Sequence, residues 1–279
     1  MLVVYTESMK VQSKVIIVTG AGGGIGGELV RELLKRGADV AAVDLRDESL
    51  NKLKDSINEL PGKLTMHALN ISDRKAVENL PESVVAEQGR VDGLINCAGI
   101  IQPFVKVNDL DYDAIERVMN VNFYGTLYMT KAFLPYLLKR DEAHIVNVSS
   151  MGGFLPVPGQ SVYGASKAAV KLVTEGLYAE LLNTSVRVSV VFPGATNTDI
   201  TKNSDVGSKT PSATEDDAKK MNIKMLSPEK AAKIIIDGVE KNKPQIFTGS
   251  DSRFMNILYR LNPVYATKLI TKQMQSLLK

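Results

Sequence analysis

Short apolar runs alternate with helix-like segments along almost the whole of this 279-residue chain. The runs are rich in valine and isoleucine, which is typical of strands buried on both faces of a parallel sheet. Each intervening helix returns the chain to the starting edge of the sheet and covers one of its faces. The pattern predicts an α/β fold with a doubly wound, Rossmann-like parallel sheet of about seven strands. The predicted strands are 14–19, 38–44, 63–69, 91–96, 143–148, 186–192 and 245–248.

The segments between these runs carry apolar residues at the spacing of amphipathic helices. The clearest one, 24–35, has its leucines on one face and stops before Gly37, a residue type that commonly ends helices. The longest one, 115–139, contains Pro135, which predicts a kink because proline lacks the N–H that an interior turn needs. The other predicted helices are a polar one that runs through Glu59, 73–88, 162–182 and one that begins at Ser227-Pro228.

No internal repeat or low-complexity linker divides the chain, so 14–249 are predicted to form a single catalytic domain. Residues 1–13 precede it as an N-terminal arm, and 250–279 follow it as a helical extension. The arm lacks the leading positive charge and the long apolar stretch of a secretory signal. Met9 would itself be a natural start, and the sequence leaves the role of residues 1–8 open.

Charge and composition exclude several classes of function. The formal net charge of +3 is small for this length and gives no basis for nucleic-acid binding. No uncharged run has the apolar density of a membrane span. A single cysteine, Cys97, excludes an internal disulfide and suits a reducing cytoplasm, where we expect the protein to reside. His67 and His144 lie far apart in strand-like runs, so no metal site is predicted.

A glycine-rich loop, GAGGGIGG, follows the first strand-like run. Glycines at such a place let the backbone turn tightly and approach a pyrophosphate, which then rests at the N-terminus of the next helix. Two registers fit this pattern. One spans Gly20 to Gly26, and the other uses Gly22, Gly24 and Gly27, which also form a GxGxxG motif.

Asp44, at the end of the second predicted strand, bears on which dinucleotide binds. A carboxylate there accepts hydrogen bonds from the adenosine ribose hydroxyls and repels a 2′-phosphate. The glycine-rich loop itself carries no basic residue, so both observations favour NAD over NADP. Arg46 keeps NADP open, because a guanidinium two residues further on is able to bind a phosphate.

Tyr163 and Lys167 stand four residues apart in a predicted helix, so their side chains lie on one face. Ser150 precedes them, just after the strand 143–148. A phenol titrates at about pH 10, too high for a base at neutral pH, but a neighbouring ammonium lowers that pKa. Beside a dinucleotide site, these three residues indicate hydride transfer with Tyr163 as the group that exchanges a proton.

With these motifs in this order, the chain resembles the short-chain dehydrogenase/reductase family in its single-domain form. The resemblance covers about 14–248 and also rests on the sequences NCAG at Asn96, NVNFYGT around Asn122 and Pro193-Gly194. It implies a dinucleotide cofactor and two sets of residues. The catalytic set is Asn122, Ser150, Tyr163 and Lys167. The cofactor-binding set is Gly20, Gly22, Gly24, Ile25, Gly26, Asp44, Asn70, Ile71, Asn96, Ala98, Gly99, Tyr163, Lys167, Pro193, Gly194, Thr196 and Thr198.

The resemblance also implies a role for each catalytic residue. Ser150 holds the substrate oxygen beside Tyr163 and shares its developing charge. Lys167 lowers the pKa of Tyr163, helped by the positive nicotinamide ring, and hydrogen-bonds the nicotinamide ribose. Asn122 lies on a proton route from Lys167 to solvent through a bound water.

The chain departs from the family pattern at two positions. Cys97 stands where the family often has asparagine, and we expect a small buried residue there, not a nucleophile. Asn70 stands where the family often has an aspartate that contacts adenine. An amide is still able to hydrogen-bond adenine, so we expect this contact to persist.

The substrate is the least determined part of the site. The polar stretch 199–226 is predicted to be a mobile lid over it. Phe154, Leu155 and Val157 precede Tyr163 and suit an apolar or lipid-like alcohol or ketone, although they fit ordinary packing equally well.

The extension 250–279 carries two apolar helical faces, separated by Pro263, together with basic residues. We favour docking on the protein body, on the lid or on a neighbouring subunit, and peripheral contact with a membrane is the alternative.

Two other functions stay open at this stage. A non-catalytic dinucleotide sensor or scaffold would keep the fold, but such proteins typically lose the tyrosine or the lysine. A nucleotide-sugar epimerase or dehydratase would need a longer substrate domain. The family resemblance further suggests a homodimer or homotetramer through the helices around 123–139 and 162–182.

Overall fold

A computed structural model describes residues 9–198, 200–204 and 225–274 of the chain. Within these residues a single sheet contains seven strands, all parallel, in the order β3-β2-β1-β4-β5-β6-β7. The predicted α/β fold with a doubly wound sheet is therefore confirmed. The strands are β1 (Val15–Thr19), β2 (Asp39–Asp44), β3 (Leu64–Ala68), β4 (Gly93–Asn96), β5 (Ala143–Val148), β6 (Val186–Pro193) and β7 (Gln245–Thr248).

The strand order reverses direction at β1, which pairs with β2 on one side and β4 on the other. The chain leaves the carboxyl ends of these neighbouring strands in opposite directions, and the divergence opens a crevice there. Ligands of doubly wound sheets bind at this kind of reversal. The fold thus predicts a ligand-binding site at the loops that follow β1 and β4.

Helices cover both faces of the sheet because alternate residues of each strand point to opposite sides. Ile16 and Val18 of β1 belong to one buried cluster, and Ile17 belongs to the other. The helices in the described residues are α1 (Gly24–Lys35), α2 (Asp47–Asp55), α3 (Arg74–Gln88), α4 (Tyr112–Met119), α5 (Thr126–Leu137), α6 (Ser161–Glu180), α7 (Ile200–Asn203), α8 (Pro228–Glu240), α9 (Ser250–Leu261) and α10 (Pro263–Met274). Helices α1, α2 and α8 pack on the first cluster, and α3, α5 and α6 pack on the second.

Two predicted helices have different limits in the structure. The polar helix expected through Glu59 ends as α2 at Asp55, where the Ser56 hydroxyl donates to the Leu53 carbonyl and closes the last turn. Between α4 and α5 the helix widens into a π-helical segment, Asn120–Gly125. The π-helical segment was not predicted; α5 runs through Pro135 to Leu137, and the kink expected near Pro135 stays a prediction.

The C-terminal helices α9 and α10 pack on the protein body, as the favoured reading of the extension expected. Met255, Ala266 and Ile270 form a buried cluster with Leu155, which belongs to the loop after β5. Asp251, in the first turn of α9, accepts a hydrogen bond from the Ala195 N–H at 2.9 Å. None of the described helices is long and apolar enough to cross a membrane. Residues 1–8 and most of the lid expected at 199–226 lie outside the described residues.

Candidate active site

A cavity of about 370 Å³ opens at the carboxyl ends of the strands, over the reversal between β1 and β4. Its walls come from the segments that follow strands β1 to β6, and from α7. Residues far apart in sequence meet here because parallel strands all present their carboxyl ends at the same edge. The predicted site residues that line this cavity are Gly20, Gly22, Gly24, Ile25, Gly26, Asp44, Asn70, Ile71, Ala98, Gly99, Ser150, Tyr163, Lys167, Pro193, Gly194, Thr196 and Thr198.

The glycine-rich loop between β1 and α1 has almost no room for side chains. A Cβ on Gly20 would lie 2.8 Å from the Ala98 Cα, and one on Gly26 would lie 2.0 Å from the Gly20 carbonyl oxygen. Gly20 also has φ +68°, a left-handed backbone conformation that favours glycine. A Cβ on Gly27 would meet nothing closer than 3.4 Å, so of the two possible registers the structure favours Gly20 to Gly26.

The open side of the same loop fits a dinucleotide pyrophosphate. The nearest atom to a Cβ on Gly23 would be 3.9 Å away, so a side chain there would extend into open space beside the cavity. Helix α1 begins directly after, at Gly24, and presents the unpaired N–H groups of its first turn. Bare backbone beside a helix N-terminus is the donor set that a phosphate requires.

Asp44 and Arg46 both line the cavity at the end of β2. One carboxylate oxygen of Asp44 accepts a hydrogen bond from the Gly22 N–H at 2.9 Å, which fixes the glycine-rich loop to β2. The Arg46 guanidinium donates to the side-chain oxygen of Asn203 on α7, at 3.1 Å. The guanidinium is therefore held toward α7, while the carboxylate lies against the loop.

Ser150 and Tyr163 meet around Gly152. A Cβ on Gly152 would lie 3.5 Å from the Ser150 hydroxyl and 3.5 Å from a ring carbon of Tyr163, so both side chains border this glycine. The Ser150 hydroxyl accepts a hydrogen bond from the Gly152 N–H and also hydrogen-bonds the Tyr163 phenol. These residues form the polar floor of the cavity.

Lys167 reaches the same floor from one turn further along α6. Its ammonium donates to the Val148 carbonyl at 2.9 Å and lies next to Gly99, where a Cβ would be 2.9 Å away. Burial lowers the pKa of Lys167 to about 8. A buried lysine stays charged only when its ammonium has hydrogen-bond acceptors, and the Val148 carbonyl at the end of β5 is one such acceptor.

The pKa of Tyr163 differs from the expectation that Lys167 lowers it. Burial raises the pKa of Tyr163 above its ordinary value, and the hydrogen bond with Ser150 only partly offsets this effect. Removing the phenol from water disfavours the phenolate, and the Lys167 ammonium is directed to the Val148 carbonyl. In the protein alone, Tyr163 is therefore a neutral phenol.

Replacing Lys167 by methionine tests the buried ammonium through the pH dependence of stability. The folded-state pKa lies below the unfolded value, so the unfolded chain binds more protons between about pH 8 and 10.5. Wild-type stability should therefore rise with pH across this window relative to Lys167→Met. The stability advantage of the variant should be largest at pH 7, on the order of 3 kcal/mol at most, and should shrink toward pH 10. Urea unfolding of both proteins at several pH values measures it; a constant difference would contradict the lowered pKa.

Two predicted residues, Asn96 and Asn122, lie behind the cavity wall. The Asn96 amide donates to the side-chain oxygen of Asn147 at 2.8 Å and ties β4 to β5. Asn122 lies in the π-helical segment and brackets the backbone of Ile100: its oxygen accepts the Ile100 N–H and its nitrogen donates to the Ile100 carbonyl. The role of Asn122 in a proton route stays a prediction.

Gln102 is a site residue that the sequence did not indicate. It is fully buried, and its side-chain oxygen accepts the N–H groups of Val162 and Tyr163 at 2.8 and 3.0 Å. The residue before α6, Gln160, makes no side-chain capping bond to this helix. Gln102 therefore caps α6 from a loop sixty residues upstream of Val162 and positions the backbone that carries Tyr163.

Gln102→Leu removes this cap and leaves two N–H groups of α6 without their acceptor. We expect the free energy of unfolding to fall by about 2–4 kcal/mol, and turnover to fall more than cofactor affinity. Gln102→Glu keeps an acceptor at the same place and should restore much of the turnover. Urea unfolding and steady-state kinetics of both variants check this. Equal turnover in Gln102→Leu and wild type would refute a positioning role.

The single cysteine, Cys97, and the two histidines, His144 and His67, lie in environments that suit a structural role. Burial raises the pKa of the Cys97 thiol to about 11, so it stays protonated at neutral pH and is no nucleophile. Burial lowers the pKa of His144 to about 3, and its ring hydrogen-bonds the Ser189 hydroxyl between β5 and β6. His67 lies on β3, beside Glu87.

Comparisons with known proteins show the family to which the chain belongs. The family model described as short chain dehydrogenase matches residues 14–208. A Mycobacterium tuberculosis protein that carries the name oxidoreductase SadH is 34% identical over 252 residues, covering 90% of this chain and 91% of its own. The 3-oxoacyl-[acyl-carrier-protein] reductase FabG of Thermotoga maritima is 38% identical over 196 residues, covering 70% and 78%.

Solved structures show the same fold. A short chain dehydrogenase from Burkholderia cenocepacia, solved with NADP, superposes with a TM-score of 0.76 at 26% identity and covers 94% of this chain and 99% of its own. A short chain dehydrogenase/reductase from Burkholderia phymatum, solved with NAD, has a TM-score of 0.76 at 23% identity and covers 91% and 96%. This chain belongs to the short-chain dehydrogenase family, and it is an oxidoreductase of that family.

Proposed function

We propose that the protein interconverts a secondary alcohol and a ketone, or an aldehyde, by NAD(P)-dependent hydride transfer. The observation that carries this proposal is the convergence of Ser150, Tyr163 and Lys167 on the cavity that the glycine-rich loop also lines. Proton-exchanging side chains and a phosphate cradle in one cavity are the components that such a reaction needs. The name of the Thermotoga maritima relative, a reductase of a 3-oxoacyl group, supports the same reaction class.

In this proposal the bound dinucleotide supplies or accepts the hydride. Tyr163 donates a proton to the carbonyl oxygen during reduction and accepts it from the hydroxyl during oxidation. Ser150 hydrogen-bonds the same oxygen and shares the charge that develops on it. Lys167 donates to the Val148 carbonyl in the protein alone, and we propose that it turns toward Tyr163 and stabilises the phenolate once the proton has been transferred.

The proposed cofactor preference is NAD. Asp44 lies against the glycine-rich loop, where its carboxylate would repel an adenosine 2′-phosphate. The Arg46 guanidinium is engaged by Asn203 and would have to leave this partner to meet a phosphate. We propose that repulsion of a 2′-phosphate by the Asp44 carboxylate therefore has a larger effect on cofactor preference than its attraction by the Arg46 guanidinium.

The proposed substrate is apolar or lipid-like. The segment that follows Ser150 carries Met151, Phe154 and Leu155, which pack against α9 and α10. Charged groups are absent from this cluster among the residues that the structure describes. These residues do not line the cavity themselves, but they follow Ser150 closely in the chain, and we propose that an apolar substituent of the substrate lies near this segment.

The test is steady-state oxidation of NADH, and of NADPH in parallel, with aldehydes, small ketones, ring ketones and long-chain ketones. We expect turnover with NADH that increases with the apolar area of the ketone. Turnover mainly with NADPH would mean that Arg46 outweighs Asp44. Cofactor binding without turnover across the whole panel would contradict the proposal and leave a dinucleotide sensor as the function.

A further inference from the structure

The C-terminal helices α9 and α10 have two apolar faces, and the described residues cover only one of them. The inner face carries Met255, Ala266 and Ile270, which pack on Leu155. The outer face carries large apolar side chains that are between 53 and 80% exposed. These outer residues are Phe254, Ile257, Leu261, Val264 and Tyr265.

The outer residues form one continuous ridge. Phe254, Ile257 and Leu261 follow the i, i+3, i+7 spacing of a single helical face on α9. Val264 and Tyr265 are also exposed, in the first turn of α10 directly after α9 ends. Scattered apolar residues are common on protein surfaces, but a contiguous ridge of this kind marks a contact site.

The charged side chains exposed on α9 and α10 all have one sign. Arg253, Arg260, Lys268 and Lys272 are exposed on the same two helices. The single acidic residue after Gly249, Asp251, is directed inward to the Ala195 N–H. No described acidic side chain of α9 or α10 therefore neutralises the basic groups beside the ridge.

We propose that this surface, the α9–α10 ridge, docks on an anionic lipid bilayer. The apolar side chains would enter the interface, while the flanking guanidinium and ammonium groups reach lipid phosphates. A second copy of the same surface is a poorer partner, because a two-fold contact would place basic groups against basic groups. The proposal requires neither the reaction nor the substrate proposed above.

Bilayer docking would also give the inner face of the two helices a role. The cluster on Leu155 connects the ridge to the loop that follows Ser150. A protein bound in this way would hold the segment after Ser150 near the lipid surface. An apolar substrate would then reach this part of the protein without crossing much water.

The experiment is co-sedimentation of the full-length protein with vesicles of phosphatidylcholine containing about 30% phosphatidylglycerol, and with pure phosphatidylcholine vesicles. We expect binding to the anionic vesicles at low salt and little binding to the neutral ones. High salt should weaken binding, because the Debye length falls from about 30 Å at 0.01 M to about 3 Å at 1 M.

Two double variants test separately how much the basic residues and the apolar ridge contribute to vesicle binding. Arg260→Glu with Lys268→Glu should lower the vesicle partition coefficient by about 25-fold or more, since each basic residue contributes about fivefold near an anionic surface. Ile257→Gln with Leu261→Gln should lower it at constant charge. The matched controls are Lys52→Glu with Lys54→Glu on α2 and Leu172→Gln on α6, all at exposed positions away from the ridge.

Three outcomes would overturn the proposal. The wild-type protein could fail to sediment with anionic vesicles at low salt. The α2 controls could lose as much binding as the ridge variants, which would show a nonspecific charge effect. Ile257→Gln with Leu261→Gln could lower the oligomeric state in sedimentation velocity with vesicle binding unchanged, which would make the ridge a contact between copies. Thermal unfolding of each variant verifies that it is folded.

Discussion

Replacing Tyr163 by phenylalanine is expected to lower turnover by about 10²- to 10⁴-fold, the range that a positioned proton donor contributes. The substitution removes one oxygen and leaves the ring that packs beside Gly152. Because burial raises the pKa of Tyr163, the wild-type residue is neutral in the protein alone, and the change removes no charge. The fold and cofactor affinity should therefore persist, with dissociation constants within about threefold of wild type.

Tyr178→Phe is the matched control for this substitution. Tyr178 belongs to the same helix, α6, but it is 42% exposed and lies outside the cavity. Its loss of a hydroxyl should leave turnover unchanged. Cofactor titration, thermal unfolding and single-turnover hydride transfer on the three proteins separate binding, stability and chemistry. If Tyr163→Phe retained turnover within about tenfold of wild type, Tyr163 would not be the proton-exchanging group.

Gly26→Ala is expected to have the largest effect on cofactor binding. The added methyl group would lie 2.0 Å from the Gly20 carbonyl oxygen, so the turn between β1 and α1 has to open. A displacement of about 1 Å in a positioning element costs on the order of 100-fold in function, and we expect at least that loss in cofactor affinity. Equilibrium titration of NADH fluorescence measures this loss.

Gly27→Ala supplies the control one residue further along α1. Its methyl group would meet no atom closer than 3.4 Å, and alanine is favoured over glycine in a helix by up to about 1 kcal/mol. We expect unchanged cofactor affinity and equal or slightly higher stability. The opposite ranking, with Gly27→Ala impaired and Gly26→Ala tolerated, would restore the GxGxxG register that ends at Gly27.

The sequence predicts both the strands of the sheet and most of the residues that line the cavity. The physical reason is the same for both. Buried parallel strands need continuous apolar runs, and those runs are visible without any long-range information. Residues that follow such runs, including Asp44 and Ser150, must then meet at one edge of the sheet. The glycines are equally visible, because their lack of a side chain is itself the requirement at Gly20 and Gly26.

Features that depend on contacts between distant segments were not predictable in this way. The cap that Gln102 places on α6 has no local signal, since its acceptor oxygen and the two N–H groups meet only in the folded chain. The raised pKa of Tyr163 depends on how deeply the phenol is buried, which a spacing of four residues does not report. The π-helical segment at Asn122 likewise accompanies its bonds to the Ile100 backbone.

The carboxylate of Asp251 connects the C-terminal helices to the turn after β6. It accepts the Ala195 N–H, and a Cβ on either Gly194 or Gly249 would come within 2.3 Å of it. A side chain at either glycine would therefore collide with the carboxylate that holds the two segments together. A chimaera that replaces residues 250–279 with the tail of another family member would need an acid at the second position of that tail. Without it, the backbone beside Gly194 would lose its anchor even though no residue of the cavity had been altered.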